Sequence, residues 1–147
     1  MEEFEARLAA AYEAWHASHG KTPERFYELY AEDIALHSVL EASLLDKGRG
    51  SFVGKPASLA YFTAIAEAWE MIEARVDTIV ARGDTVVATG HATWRNLRTL
   101  RVVDGPKVDV WTVRDGQAIR YLEMFDSYGT ALALGVIEPQ GKDLSQG

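Results

Sequence analysis

From Arg75 onward the hydrophobic residues of this chain alternate as strands do. Before that point, apart from Ile34 to Leu40, they recur mainly at helical spacing. Phe4, Leu8, Ala11, Tyr12 and Trp15 form one stripe and predict a helix over 4–19, ended by Gly20. Thr22 followed by Pro23 predicts the start of a second, short helix, a hydroxyl cap before a residue that needs no hydrogen-bond partner for its nitrogen. Phe26, Leu29 and Tyr30 give that helix its buried face. Ile34 to Leu40 alternates and reads as a strand, and 41–55, with its glycines and mixed charges, reads as a loop. Pro56 opens a third helix, expected to run to about Glu73 with Leu59, Phe62, Ala66 and Trp69 inward.

Beyond the switch, strands are predicted over 76–81, 85–96, 98–103, 107–114 and 117–126. Gly83-Asp84, Asp104-Gly105 and Asp115-Gly116 supply the turn signals between them. Ser127 is expected to cap a last short helix that stops at Gly135. Helices segregated against a run of antiparallel strands define an α+β fold. The expected architecture is a cone-shaped, curved antiparallel sheet with three helices on its concave face and a short helix at the C-terminal end. One domain over 1–136 is expected, with a flexible tail over 137–147.

Composition narrows the function. The formal charge of −7 and the lack of any dense basic run speak against nucleic acid, which needs clustered cations to neutralise phosphates. The absence of cysteine excludes disulfides and thiolate metal sites. No apolar run is long enough for a membrane span. The acidic start, Met1-Glu2-Glu3, differs from the basic start of a signal peptide, so a cytoplasmic location is expected. The histidines lack zinc-site spacing and no phosphate-binding glycine loop is present, so neither metal nor cofactor is expected. Hydrophobic residues, 48% of the chain, suffice for a core with room for a cavity.

Several short stretches carry a resemblance. They are Phe26-Tyr27-Glu28-Leu29-Tyr30-Ala31-Glu32-Asp33, Phe52-Val53-Gly54-Lys55, Gly83-Asp84-Thr85-Val86-Val87, Val110-Trp111-Thr112-Val113-Arg114-Asp115-Gly116 and Glu123-Met124-Phe125-Asp126. With the helix order, they resemble the SnoaL-like and ketosteroid-isomerase-like branch of the nuclear transport factor 2-like superfamily over about residues 4–135. The resemblance implies a cone enclosing a pocket for a small apolar molecule. It does not fix a chemistry, because one fold hosts many.

The candidate chemistry lies on a few strands. Alternation puts Asp109 on one face with Trp111 and Val113, and Val108, Val110 and Thr112 on the other; the pattern alone leaves either face inward. The resemblance implies that Asp109 faces the cavity, as the carboxylic acid of ketosteroid isomerases does when it donates to a substrate oxyanion. Glu123 shares a face with Ile119, Tyr121 and Phe125, where epoxide hydrolases resembling the limonene enzyme carry an acidic triad residue. The other triad positions correspond to His91 and Thr93, so that triad is broken, although a histidine beside a buried carboxylate could act as a base. Ser38 stands where ketosteroid isomerases have their aspartate base. His37 would reach the pocket only through a bulge. Tyr12 resembles the oxyanion-binding tyrosine of those isomerases. Trp15, Phe62, Trp69, Trp111, Tyr121 and Phe125 are expected as pocket wall, with Ser38 and Thr93 among them. Arg95, Arg98 and Arg101 are expected at a solvated rim.

The resemblance implies an acid/base enzyme without a cofactor, of isomerase, dehydratase or cyclase type, acting on a small hydrophobic compound. Glu123, with His91, would move the proton, and neutral Asp109 with Tyr12 would hold the oxyanion. A non-catalytic ligand-binding or dimerisation module of the same fold, or a hydrolase with an altered triad, are the alternatives. A homodimer through the sheet is expected, with Leu122 and Met124 at its surface.

Overall fold

A computed structural model of the protein describes residues 1–39 and 51–139. Helix α1 (Glu2–Ala17) is followed by α2 (Glu24–Leu29), β1 (Tyr30–Ser38), β2 (Ser51–Val53), α3 (Lys55–Ala68), β3 (Trp69–Arg82), β4 (Thr85–Asn96), β5 (Val102–Arg114), β6 (Gln117–Met124) and α4 (Ser127–Leu134). The strands form one curved, unclosed sheet in the order β2-β1-β6-β5-β4-β3. All neighbours are antiparallel except β1 and β6, which run parallel, so the sheet is mixed. The fold is the α+β cone that the period change near Arg75 implies.

Helix α1 buries the expected stripe of Phe4, Leu8, Ala11, Tyr12 and Trp15. These side chains share one core with Phe26 and Leu29 of α2 and with inward residues of the sheet such as Val86, Trp111 and Tyr121. Gly20 adopts φ 78°, a conformation glycine takes at low cost, where the chain leaves α1. Thr22 does not cap α2: its hydroxyl donates to the Ala14 carbonyl, and Pro23 holds the cap position. At the other end, Asp126 rather than Ser127 caps α4, its carboxylate accepting from the Gly129 amide at 2.8 Å. Gly135, at φ 75°, ends α4 as expected.

Three expectations change where tertiary pairing overrides local pattern. The third helix stops at Ala68, not near Glu73, and Trp69 begins β3 opposite Asn96. The Leu97 amide takes the Ala68 carbonyl at 2.9 Å, which joins the end of the helix to the neighbouring strand. The inward face of α3 is Ser58, Tyr61 and Phe62, with Ile65 beside them; Ala66 is exposed. Asp104-Gly105 is not a hairpin but lies inside β5, opposite Thr93 and Ala92. The turn between β4 and β5 is built instead on Asn96, whose side-chain oxygen accepts from the Arg98 and Thr99 amides at 3.1 Å each. The Asp115-Gly116 hairpin is as expected, with φ of 52° and 74°. The expected loop over 41–55 contains β2 at its end, while 40–50 lie outside the described residues. So do 140–147 of the expected tail, and Glu138 in its described part pairs with Arg101 at 3.2 Å.

Strand β3 is irregular against β4 between Met71 and Glu73 and again between Val76 and Thr78. Gly90 lies opposite the second irregularity, and a methyl group there would stand 1.8 Å from the Arg75 carbonyl oxygen. Backbone cannot swing aside as a side chain can. Gly90→Ala should therefore destabilise the fold by at least about 3 kcal/mol, at the upper end of overpacking costs. Gly116→Ala, strained only by its φ of 74°, should cost about 1 kcal/mol. Urea unfolding of both variants measures the contrast, and equal midpoints would refute it.

Candidate functional site

The inward face of β5 is set by its pairing with β4 and β6. Ala88 stands opposite Asp109, Asp109 opposite Glu123, and Trp111 opposite Tyr121. Alternation adds Lys107 to the same face. Asp109 is 2% and Glu123 5% exposed, so two carboxyl groups meet across a strand pair with almost no water. Like charges placed directly opposite repel. Lys107 separates them: its ammonium lies 2.6 and 2.8 Å from the two Asp109 oxygens and 3.8 Å from Glu123 Oε2.

The remaining polar atoms are tyrosine hydroxyls and one serine. Tyr12 donates to Asp109 Oδ2 at 2.6 Å and itself accepts from the Trp111 indole at 3.1 Å. Tyr61 donates to Glu123 Oε1, and Tyr121 to Glu123 Oε2 at 3.3 Å. Lys107 also donates to the Tyr121 hydroxyl at 3.2 Å. The Trp111 and Tyr121 rings stack with centroids 3.9 Å apart, which fixes the direction of Tyr121.

Burial raises the Glu123 pKa above its ordinary value of 4.5. Lys107 opposes the rise, Asp109 adds to it, and hydrogen bonds from Tyr61 and Ser38 oppose it. For Lys107, burial lowers the pKa, but the Asp109 and Glu123 carboxylates outweigh it and leave the ammonium more basic than usual. Burial, with the neighbouring carboxylates, also keeps the Tyr12, Tyr61 and Tyr121 hydroxyls protonated. Glu123 therefore holds its proton to higher pH than an ordinary glutamate does.

Two adjoining cavities meet at Lys107 and Glu123. The outer one, about 90 Å³, has walls of Trp69, Trp94, Phe125, Ile65 and Val103. The inner one, about 50 Å³, reaches Trp15, Phe26, Phe62, Tyr12 and Asp109. The structure thus brings together Asp109, Glu123, Tyr12, Ser38, Trp111 and Tyr121, and places Trp15, Phe62, Trp69 and Phe125 on cavity walls.

Asp109 accepts hydrogen bonds from Lys107 and Tyr12. His91 borders the inner cavity, but its ring is engaged elsewhere: Nε2 lies 2.5 Å from Asp104 Oδ1, to which Thr93 also donates at 2.6 Å. The β4–β5 register is unbroken from Thr85 to Arg95, so with Ala88 and Ala92 inward, His91 and Thr93 take the outer face. The Thr93 and His91 hydrogen bonds in turn hold the Asp104 carboxyl below its ordinary value. His37 also points away, because the irregularity in β1 falls between Tyr30 and Ala35 and leaves Leu36, His37 and Ser38 in strict alternation. Neither histidine joins the cluster.

Two members, Lys107 and Tyr61, were missed by sequence reasoning. Lys107 was recognisable as two residues before Asp109 on one strand face. Tyr61 was hidden by choosing a helical stripe one residue out of register. The arginines of the rim hold α4: Arg101 donates to the Leu132 carbonyl at 2.9 Å and Arg98 to that of Leu134, while Arg95 pairs with Glu70 at 3.0 Å. Cations at a helix C-terminus offset its unpaired carbonyls. Among the described residues, no three His, Asp or Glu side chains are grouped to hold a metal ion, and no helix is long and apolar enough to cross a membrane.

The model of the SnoaL-like domain matches residues 8–121, from within α1 to within β6, a span that holds Tyr12, Tyr61, Lys107, Asp109 and Tyr121 and ends before Glu123. The chain belongs to the SnoaL-like domain family. Solved structures place this SnoaL-like protein in the wider nuclear transport factor 2-like fold. An NTF2-like protein of unknown function from Burkholderia pseudomallei K96243 superposes with a TM-score of 0.75 at 17% identity, covering 91% of this chain and 98% of that one. A protein provisionally named a SnoaL-like polyketide cyclase, from Mesorhizobium loti, gives 0.66 at 18% identity, covering 82% and 97%. One provisionally named an isomerase, from Rhodopseudomonas palustris, gives 0.71 at 12% identity, covering 91% and 97%. At these identities the likeness is one of fold. None of the curated proteins matches the chain.

The raised Glu123 pKa has a consequence for stability. The folded state holds the Glu123 proton more tightly than the unfolded chain does, so stability falls as pH rises from about 4.5 through the folded value. Glu123→Gln should remove this fall, gaining on the wild type by about 1.4 kcal/mol per pH unit across the window. Urea unfolding from pH 4 to 8 measures the difference; parallel curves for the two proteins would contradict it.

Proposed function

We propose that this SnoaL-like protein is an acid/base enzyme that moves a proton on a small, largely apolar, carbonyl-bearing substrate, in an isomerisation, dehydration or cyclisation. The observation that carries the reading is Glu123: a buried carboxyl with a raised pKa at the junction of two apolar-walled cavities, ringed by donors. In this reading ionised Glu123 removes a proton from carbon beside the carbonyl. The charge that develops on the carbonyl oxygen is met by the Tyr61 and Tyr121 hydroxyls and the Lys107 ammonium. Glu123 then returns the proton to another atom, which gives isomerisation, or the enolate expels a leaving group or closes a ring. Asp109 and Tyr12 keep Lys107 in place. The provisional names of the Mesorhizobium and Rhodopseudomonas proteins, cyclase and isomerase, belong to this class.

A purely storing pocket has no need of two buried carboxyls and a lysine, whose burial is costly. That weighs toward catalysis over the binding-module reading. The test is deuterium uptake at the acidic methylene of 2-tetralone in D2O, followed by proton NMR. The wild type should accelerate uptake over buffer, and Glu123→Gln should lose about 10²–10⁴-fold of that acceleration. Equal rates for wild type and Glu123→Gln would end the proposal.

The same reading includes a homodimer. The outer sheet face carries half-buried Val108, Val110, Leu122 and Met124, with exposed Val80 and Val102. Contiguous apolar surface of this kind supports a partner. Light scattering should give twice the chain mass for the wild type and the single mass for Val110→Glu; a monomeric wild type would refute the dimer.

A further inference from the structure

A third hollow, of about 280 Å³, lies between α1 and β3. Its lining is unlike that of the outer cavity. Glu13 and His16 face it from α1, and Arg75, Asp77 and Thr78 from β3. Arg75 is held by Asp77 at 2.7 Å and by Glu73 at 2.8 Å, so the charged edge of the hollow is built into the strand. The hollow coincides with the irregularity of β3 between Val76 and Thr78, where the extra residue bends the strand. It shares Tyr12, Ala74, Arg75 and Val76 with the inner cavity. Tyr12 is the residue whose hydroxyl donates to Asp109.

We propose that the site has two entrances of opposite character: an apolar one past Trp69, Trp94 and Phe125 for the substrate, and a polar one between α1 and the bulged β3 that admits water as far as Tyr12 and Asp109. The three hollows adjoin in series: the outer and inner ones share Lys107 and Glu123, and the inner and polar ones share Tyr12, Ala74, Arg75 and Val76. Charged and hydroxyl side chains at one end lower the cost of hydrated entry, whereas the aromatic end favours an apolar ligand. The polar entrance would let single water molecules reach the otherwise dry Asp109–Lys107 pair past Tyr12 when an apolar molecule fills the outer cavity. The proposal draws its purpose from the catalytic reading of Glu123, but its test needs no turnover, so either idea can fail alone.

The Trp111 indole N–H reports on the inner end of the polar route, because it donates to Tyr12 and has no exposure of its own. Its hydrogen exchange can be followed by proton–nitrogen NMR, with the amide of fully buried Val86, opposite Trp111, as the standard for global opening. Ala74→Leu narrows the shared wall, and Ala9→Phe fills the outer part of the polar hollow alone. Val103→Phe narrows the apolar mouth. Each plug of the polar route should slow indole exchange by about tenfold while the Val86 amide is unchanged, and Val103→Phe should leave both unchanged. The proposal is overturned if Val103→Phe slows the indole as much as the plugs do. It is equally overturned if neither plug changes indole exchange, or if indole and Val86 rates move together.

Discussion

Two carboxyl groups face each other across β5 and β6 in a place with almost no water, and the Lys107 ammonium is what makes that arrangement tolerable. Without it, Asp109 and Glu123 would be directly opposed like charges in a low-dielectric interior. Removing one partner from a buried ion pair costs about 3–5 kcal/mol, because the remaining charge has nothing to compensate it. Lys107 can serve both carboxyls because strand alternation puts it two residues before Asp109, and because its side chain, 23% exposed, reaches the cluster from the cavity rim. One positive charge between two acids leaves one acid in excess. Glu123 lies 3.8 Å from that ammonium against 2.6 Å for Asp109, and burial, which Lys107 opposes without cancelling, raises its pKa.

The dryness behind that shift comes from aromatic packing. Trp111 stacks on Tyr121 on one side and lies parallel to Phe26, at 6.1 Å, on the other. Phe26 in turn packs on Tyr12, Trp15 and Phe62, which belong to two different helices. The same rings that exclude water also aim the hydroxyls: Tyr12 is held between the Trp111 indole and Asp109. Packing, hydrogen-bond direction and electrostatics are thus one construction. A change in any ring of this group should be felt in the chemistry of the carboxyls as well as in stability. The helix α4, fixed to the 97–101 turn by Arg98, Thr99 and Arg101, closes the wide end beside the outer cavity.

The outer face of the same strands follows a different logic. His91, Thr93 and Asp104 satisfy one another there, which accounts for an Asp-Gly pair inside a strand. The histidine that looked available for catalysis is occupied by a carboxylate on the opposite side of the sheet.

Local rules were enough for much of this. The helical stripe of α1, the alternation of β4 over 85–96, the Asp115-Gly116 hairpin and the left-handed glycine after α4 are short-range properties, and the chain carries them openly. Membership of the cone fold was legible from several such stretches together. What required tertiary structure was decided by pairing between distant segments. The end of α3 depends on the Leu97 amide and the turn after β4 on the Asn96 side chain. Which face of β5 is wet depends on Ala88 and Glu123 standing opposite Asp109. The role of Lys107 belongs to the same class: a lysine near a carboxylate reads as solvated surface until burial makes the two indispensable to each other. The amino-acid sequence by itself determined the elements and their amphipathic faces, because those depend on neighbours a few residues apart. Only the folded chain decided which charges meet and which stay dry, because Coulomb energy and desolvation depend on distance through space.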